Sequence, residues 1–141
     1  MSYARIASLA LTVSCSLPSC LLANELTVSI EDIDGPGVVM LEVFSNEAQF
    51  KGEEPSVMAV RQQVSTGRFN VSVAGLPDGE YGIRLMYDLN GNGELDTNVV
   101  GLPTEPWAFS NNATGMFGAP KWDDVKFTVE SDTRQHINLN R

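Results

Sequence analysis

From about residue 26 the chain alternates apolar and polar positions in short runs. Leu26, Val28 and Ile30 alternate with Thr27 and Ser29, and Val39, Leu41 and Val43 form the next series. Phe69, Val71 and Val73 flank polar Asn70 and Ser72, and Tyr81, Ile83, Leu85 and Tyr87 follow. Val125, Phe127 and Val129 then alternate with Lys126, Thr128 and Glu130, and Ile137 with Leu139 ends the pattern. Successive strand side chains point to opposite faces, so a period of two marks a strand with one buried face. Met58–Val64 is a weaker run of this kind. No window carries a helical period beyond a single turn at 46–50.

The punctuation agrees. Asp34-Gly35-Pro36-Gly37, Ser65-Thr66-Gly67 and Leu76-Pro77-Asp78-Gly79 stand between the runs. Each places Pro or Gly where a tight reversal needs a fixed or positive φ. About seven short strands with such turns predict an all-β fold, an antiparallel immunoglobulin-like (prealbumin-like) β-sandwich. The stretch Phe69-x-Val71-x-Val73-x-Gly75-Leu76-Pro77-x-Gly79-x-Tyr81 resembles the strand-turn-strand of transthyretin-like and Cna-B-like sandwiches. One segment, 89–124, shows no clear alternation and is rich in Gly, Pro and Asn. Loops of that length are functional or disordered. Its Trp107, Phe109, Met116, Phe117 and Trp122 argue for a structured excursion with the aromatics packed down.

The first residues change the picture of location. Met1–Arg5 is a short basic start and 6–22 an almost uncharged apolar run, followed by Ala23-Asn24-Glu25. This is the pattern of a secretory signal peptide, 1–23, cleaved after Ala23 to leave one domain, 24–141. The competing reading is lipid attachment at Cys20, because Leu17-Pro18-Ser19-Cys20 loosely resembles a lipobox. Cys15 and Cys20 both lie in the leader, so the mature chain is expected to be periplasmic or secreted and free of disulfides. About 118 residues remain, enough for one core. Loss of Arg5 takes the formal charge from -9 to about -10. Clustered Lys and Arg are needed to bind phosphates, so a nucleic-acid partner is not expected. No transmembrane segment is expected in the mature chain.

The clearest chemistry lies in Asp88-Leu89-Asn90-Gly91-Asn92-Gly93-Glu94-Leu95-Asp96-Thr97-Asn98. Oxygen-bearing side chains recur at every second position around a sharp Gly turn, as a hard cation such as calcium requires. Asp88, Asn90, Asn92, the Glu94 carbonyl and Asp96 match the first nine positions of a helix-loop-helix calcium loop. The twelfth, which should be an acid, is Val99, and no helix is predicted on either side. The expected site is therefore not an EF-hand but a variant of modest affinity, completed by Asp96, Asn98 or a distant acid (Glu105, Asp123 or Asp124). An ion-free turn is the competing reading, because Asn-Gly pairs also suit two-residue hairpins.

Other chemistry is sparse. His136 is the only histidine and sits on the polar register of the last strand. No G-x-S-x-G elbow is present, and the pairs Glu53-Glu54 and Asp123-Asp124 would face opposite ways on a strand. Trp107, Phe109 and Trp122 with the amides of Asn111 and Asn112 are candidates for a sugar or peptide platform, against the plainer role of packing the loop.

The string Tyr87–Asn98, with Gly101-Leu102-Pro103, Phe109–Ala113, Phe117-Gly118-Ala119-Pro120 and Asp124–Val129, resembles a bacterial exported family designated domain-of-unknown-function family 2141. The resemblance spans the mature chain and implies an exported β-sandwich; it brings no activity or catalytic residue with it. The resulting expectation is a non-enzymatic binding or structural module with a calcium-stabilised loop and an envelope glycan or protein as partner. The alternative is a periplasmic hydrolase-like enzyme with carboxylates gathered near 88–124.

Overall fold

The computed structural model describes residues 23–141; the expected leader, Ala23 excepted, and both cysteines lie outside the described residues. The elements, in chain order, are β1 (Asn24–Ile33), β2 (Gly37–Phe44), α1 (Glu47–Phe50), β3 (Met58–Val64) and β4 (Gly67–Leu76). They continue with β5 (Gly79–Asp88), β6 (Trp107–Phe109), a 3-10 turn at Ser110–Asn112, α2 (Trp122–Val125), β7 (Phe127–Val129) and β8 (Thr133–Ile137). One sheet has the order β4-β1-β8, and the other β3-β2-β5-β6, with β7 also pairing β5.

The alternation read from the sequence is what closes the sandwich. Leu26, Val28, Ile30, Val73 and Ile137 of the first sheet meet Val39, Leu41, Val43, Ile83, Leu85 and Tyr87 of the second in one buried cluster. Removing this apolar surface from water is the main favourable term in folding. Pairing is antiparallel throughout except for β1 with β8, which run parallel. The expected all-β sandwich is thus the fold.

The described residues hold eight strands, in keeping with about seven, and the weak run at 58–64 is the strand expected there, an edge strand paired to β2 along its length. Three details differ from the expectation. Val125 is not on a strand; it ends the helical turn α2, and strand pairing starts at Phe127. Asp123 and Asp124 in the first turn favour that helical start, and the Asp124 carboxylate accepts from the Lys121 N–H (3.3 Å). Leu139 lies beyond β8 and is half-buried against the core. The excursion is not strandless, because β6 pairs Trp107–Phe109 with Met86–Arg84 of β5.

A second apolar layer follows from β6. Ala108 joins the main core, while Phe109 and Trp107 point to the opposite face of the sheet. There Phe44, Phe50, Phe109 and Val125 form a small buried cluster with Trp107 and Trp122 against it. Phe50 is its hub, with ring centroids 5.7 Å from Phe44, 5.8 Å from Phe109 and 5.9 Å from Trp122. Offset and edge contacts at such distances add to the area term. Gly82 makes room for it, since a Cβ there would stand 2.7 Å from Trp122. This layer clamps the far half of the excursion to the sheet.

Candidate functional site

β5 ends at Asp88, and the oxygen-rich loop begins at the same residue. Asp88 is fully buried. One carboxylate oxygen accepts from the Gly91 N–H (2.6 Å) and the other from the Gly93 N–H (2.8 Å). The chain can wrap the carboxylate this way because Gly91 (φ 79) and Gly93 (φ 84) both take the left-handed conformation, which costs glycine little. Asn90 Oδ1 accepts from Asn92 N–H, and Asn92 Oδ1 from Glu94 N–H, each at 2.9 Å. These are Asx-turns, the local bonding that short polar side chains favour. The two side-chain amides donate to Asp96, Asn90 at 2.5 Å and Asn92 at 2.9 Å.

Of the predicted ligands, the structure therefore gathers Asp88, Asn90, Asn92 and Asp96 on one turn. The Glu94 side chain is exposed. Asn98 belongs to a different turn: its Oδ1 accepts from Val100 and Leu102 N–H, both at 3.0 Å, at the head of a small hairpin bridged at Thr97 and Pro103. Among the distant acids, Glu105 returns to the loop. It is 5 % exposed and accepts from Leu89 N–H (2.8 Å) and Asp96 N–H (3.2 Å), tying the loop's start to its middle. Asp123 instead pairs with Lys126 at 3.1 Å, and Asp124 caps α2.

Two buried carboxylates, Asp88 and Glu105, so stand at the foot of one loop. Among the described residues the basic side chain that pairs with Asp88 is Arg61 of β3, whose guanidinium lies 3.8 Å from it and 3.5 Å from the Gly91 carbonyl. Nothing in the sequence pointed to Arg61, because it comes from a weakly patterned strand two strands away. A buried carboxylate needs hydrogen bonds or a counter-charge; here backbone amides supply most of the former. Among the described residues no three His, Cys, Asp or Glu side chains converge as a metal-holding group. A cation in this loop would draw its remaining ligands from Asn oxygens and main-chain carbonyls.

The second set of candidates is used in packing and edge closure. Trp107, Phe109 and Trp122 make the outer aromatic layer. Asn111 (φ 58) and Asn112 (φ 52) are left-handed, a region that Asn tolerates better than most residues. The Asn112 side chain pairs with β8 as a strand backbone would: its amide nitrogen donates to the His136 carbonyl (3.2 Å) and its oxygen accepts from Asn138 N–H (2.8 Å). The Asn111 amide donates to the Asp124 and Lys126 carbonyls. His136 is exposed, as its register predicts.

Met116 and Phe117 correct the expectation that the loop's apolar groups pack down. They are 91 % and 100 % exposed at the apex of the Gly115–Gly118 turn. The turn is so tight that a Cβ on Gly115 would lie 2.2 Å from the Gly118 carbonyl oxygen, so glycine is required there.

The loop also borders a hollow of about 240 Å³ over Tyr87, Leu89, Pro106 and Leu139, with Asp34 and Arg141 on its rim. Burial, and next the charge of Asp34, raise the Tyr87 phenol above its ordinary pKa. No described helix is long and apolar enough to cross a membrane.

No curated protein and no solved structure matches the chain. Residues 28–138 match the family model described as "Uncharacterized protein conserved in bacteria (DUF2141)". With the match running from the first strand past the last, and taking in the whole oxygen-rich loop, the chain belongs to the bacterial domain-of-unknown-function family 2141.

Proposed function

We propose that this protein is an exported, non-enzymatic binding or structural module whose excursion is the contact surface and whose 88–105 loop is stiffened by calcium. One observation carries the reading. Among the described residues eight large apolar side chains are exposed, and seven of them (Leu89, Leu95, Val99, Val100, Leu102, Met116 and Phe117) lie in the excursion. Apolar surface concentrated on one segment of a braced loop suits a contact with a partner. An envelope glycan or an envelope protein is the partner class that follows from export.

The calcium part rests on the buried Asp88, the turn that brings Asn90, Asn92 and Asp96 beside it, and the scarcity of basic charge there. With two side-chain carboxylates and neutral oxygens, the affinity belongs with extracellular modules, at roughly 10⁻⁴ to 10⁻³ M. The enzyme alternative needs carboxylates free in a cleft. Asp88 and Glu105 are each spent on two backbone amides, and neither lines the hollow.

Thermal melting with calcium tests the loop. Calcium at about 10 mM should raise the melting temperature by a few degrees, because ligand at tenfold its Kd adds on the order of 1 kcal/mol. Asp96→Asn should keep the fold and lose the shift. No shift in the native protein, or the same shift in Asp96→Asn, would end the calcium reading. Export is tested by the intact mass of the protein recovered from cells: a chain starting at Asn24 supports soluble export, and a lipid-bearing chain starting at Cys20 supports anchoring.

A further inference from the structure

Separate from the calcium loop, the fold holds a small notch that already binds a guanidinium. β1 loses its register with β4 between Ile30 and Ile33, and within that bulge Asp32 adopts φ 56. Asp, like Asn, tolerates this left-handed conformation better than most residues, and here it turns the Asp32 carbonyl out of the strand ladder. Its carbonyl accepts from Arg141 Nη2 at 2.6 Å, and the Asp34 carboxylate accepts from Arg141 Nη1. Two acceptors thus meet the two ends of one planar fork, a geometry that suits arginine and not the point charge of lysine.

The occupant is loosely held. Asp34 and Arg141 side chains are 75 % and 50 % exposed, and ion pairs this open contribute little. Beside the notch, the hollow over Tyr87, Leu89, Pro106 and Leu139 shares Asp34, Leu139 and Arg141 with it. Arg141 occupies the polar end, and Leu89 is the exposed apolar group of the hollow, with Pro106 and Leu139 half-buried beside it.

We infer that this notch and hollow form a recognition site for an arginine side chain with an adjoining apolar group, presented by a peptide segment of a partner, and that Arg141 is a tethered, displaceable occupant. A tethered group competes at an effective concentration on the order of millimolar. The native protein therefore binds weakly, and removing Arg141 strengthens binding.

The test is calorimetric titration of the full mature chain with benzoyl-arginine amide, which carries a guanidinium and an apolar ring. Arg141→Ala should tighten binding about two- to fivefold, the most that relief from so weak a competitor allows, and Arg141→Gln should do the same. Adding Asp34→Asn should weaken it about tenfold, and benzoyl-alanine amide should bind neither protein. Equal affinity in native and Arg141→Ala proteins, equal binding of the two probes, or indifference to Asp34→Asn would each overturn the inference. A merely structural Arg141 predicts unchanged or weaker binding on its removal.

Discussion

Asp88 is fully buried, and its nearest recorded cation is an exposed arginine 3.8 Å away. Two amide donors hold it, so its loss should cost stability with or without a metal. Asp88→Asn turns one acceptor into a donor facing an N–H, and should destabilise by roughly 1–3 kcal/mol in urea unfolding. Asn112→Ala should cost a similar amount, about 1–3 kcal/mol, because the His136 carbonyl and the Asn138 N–H lose their partner and alanine resists φ 52. The buried phenols give a pH signature. Burial, followed by Asp78 for Tyr81 and Asp34 for Tyr87, raises both above the ordinary 10.0. The folded state then holds these protons more tightly than the unfolded chain, so the contribution is complete below pH 10 and is lost as pH rises through the folded values. Urea midpoints should fall above about pH 10, less steeply in Tyr81→Phe.

At the scale of elements, the long alternating strands were legible because each buries one face over five or more residues. β6 was not, since three residues carry no period; its pairing with Arg84–Met86 and its aromatic layer make it a strand. The Val125-Phe127-Val129 run misled for the opposite reason. Its alternation is real, but Val125 packs into the outer cluster from a helical turn instead of pairing. That cluster depends on Gly82, where Trp122 approaches the sheet. Gly82→Ala should cost about 1–3 kcal/mol by overpacking, read in urea unfolding. Falling tryptophan protection at lower denaturant than the main transition would show that the outer layer opens first.

For the molecule as a whole, the excursion is clamped to the sandwich at both of its ends. Its near half is pinned through Asp88 and Glu105, and its far half through Phe50, Phe109 and Trp122. Between and beyond these clamps stand the exposed apolar apices. Met116→Ser with Phe117→Ser should leave the unfolding free energy within about 0.5 kcal/mol, because neither side chain is buried. The same variant should reduce the protein's tendency to associate at high concentration, measured by light scattering. A large loss of stability would mean that the apex packs against the body of the protein.

The sequence by itself determined the long strands, the turns between them, the main core and the position of the oxygen-rich loop. All of these depend on local periodicity or on spacing within a dozen residues, which a chain shows without folding. The tertiary structure decided which oxygens share a turn, that Glu105 and Arg61 come to Asp88, and that Asn98 does not. It turned Asn111 and Asn112 into edge closures and left Phe117 bare. It also brought Arg141 to the carbonyl of Asp32. Those outcomes rest on pairings between residues far apart in the chain, whose closeness is fixed only when the two sheets close over their common core.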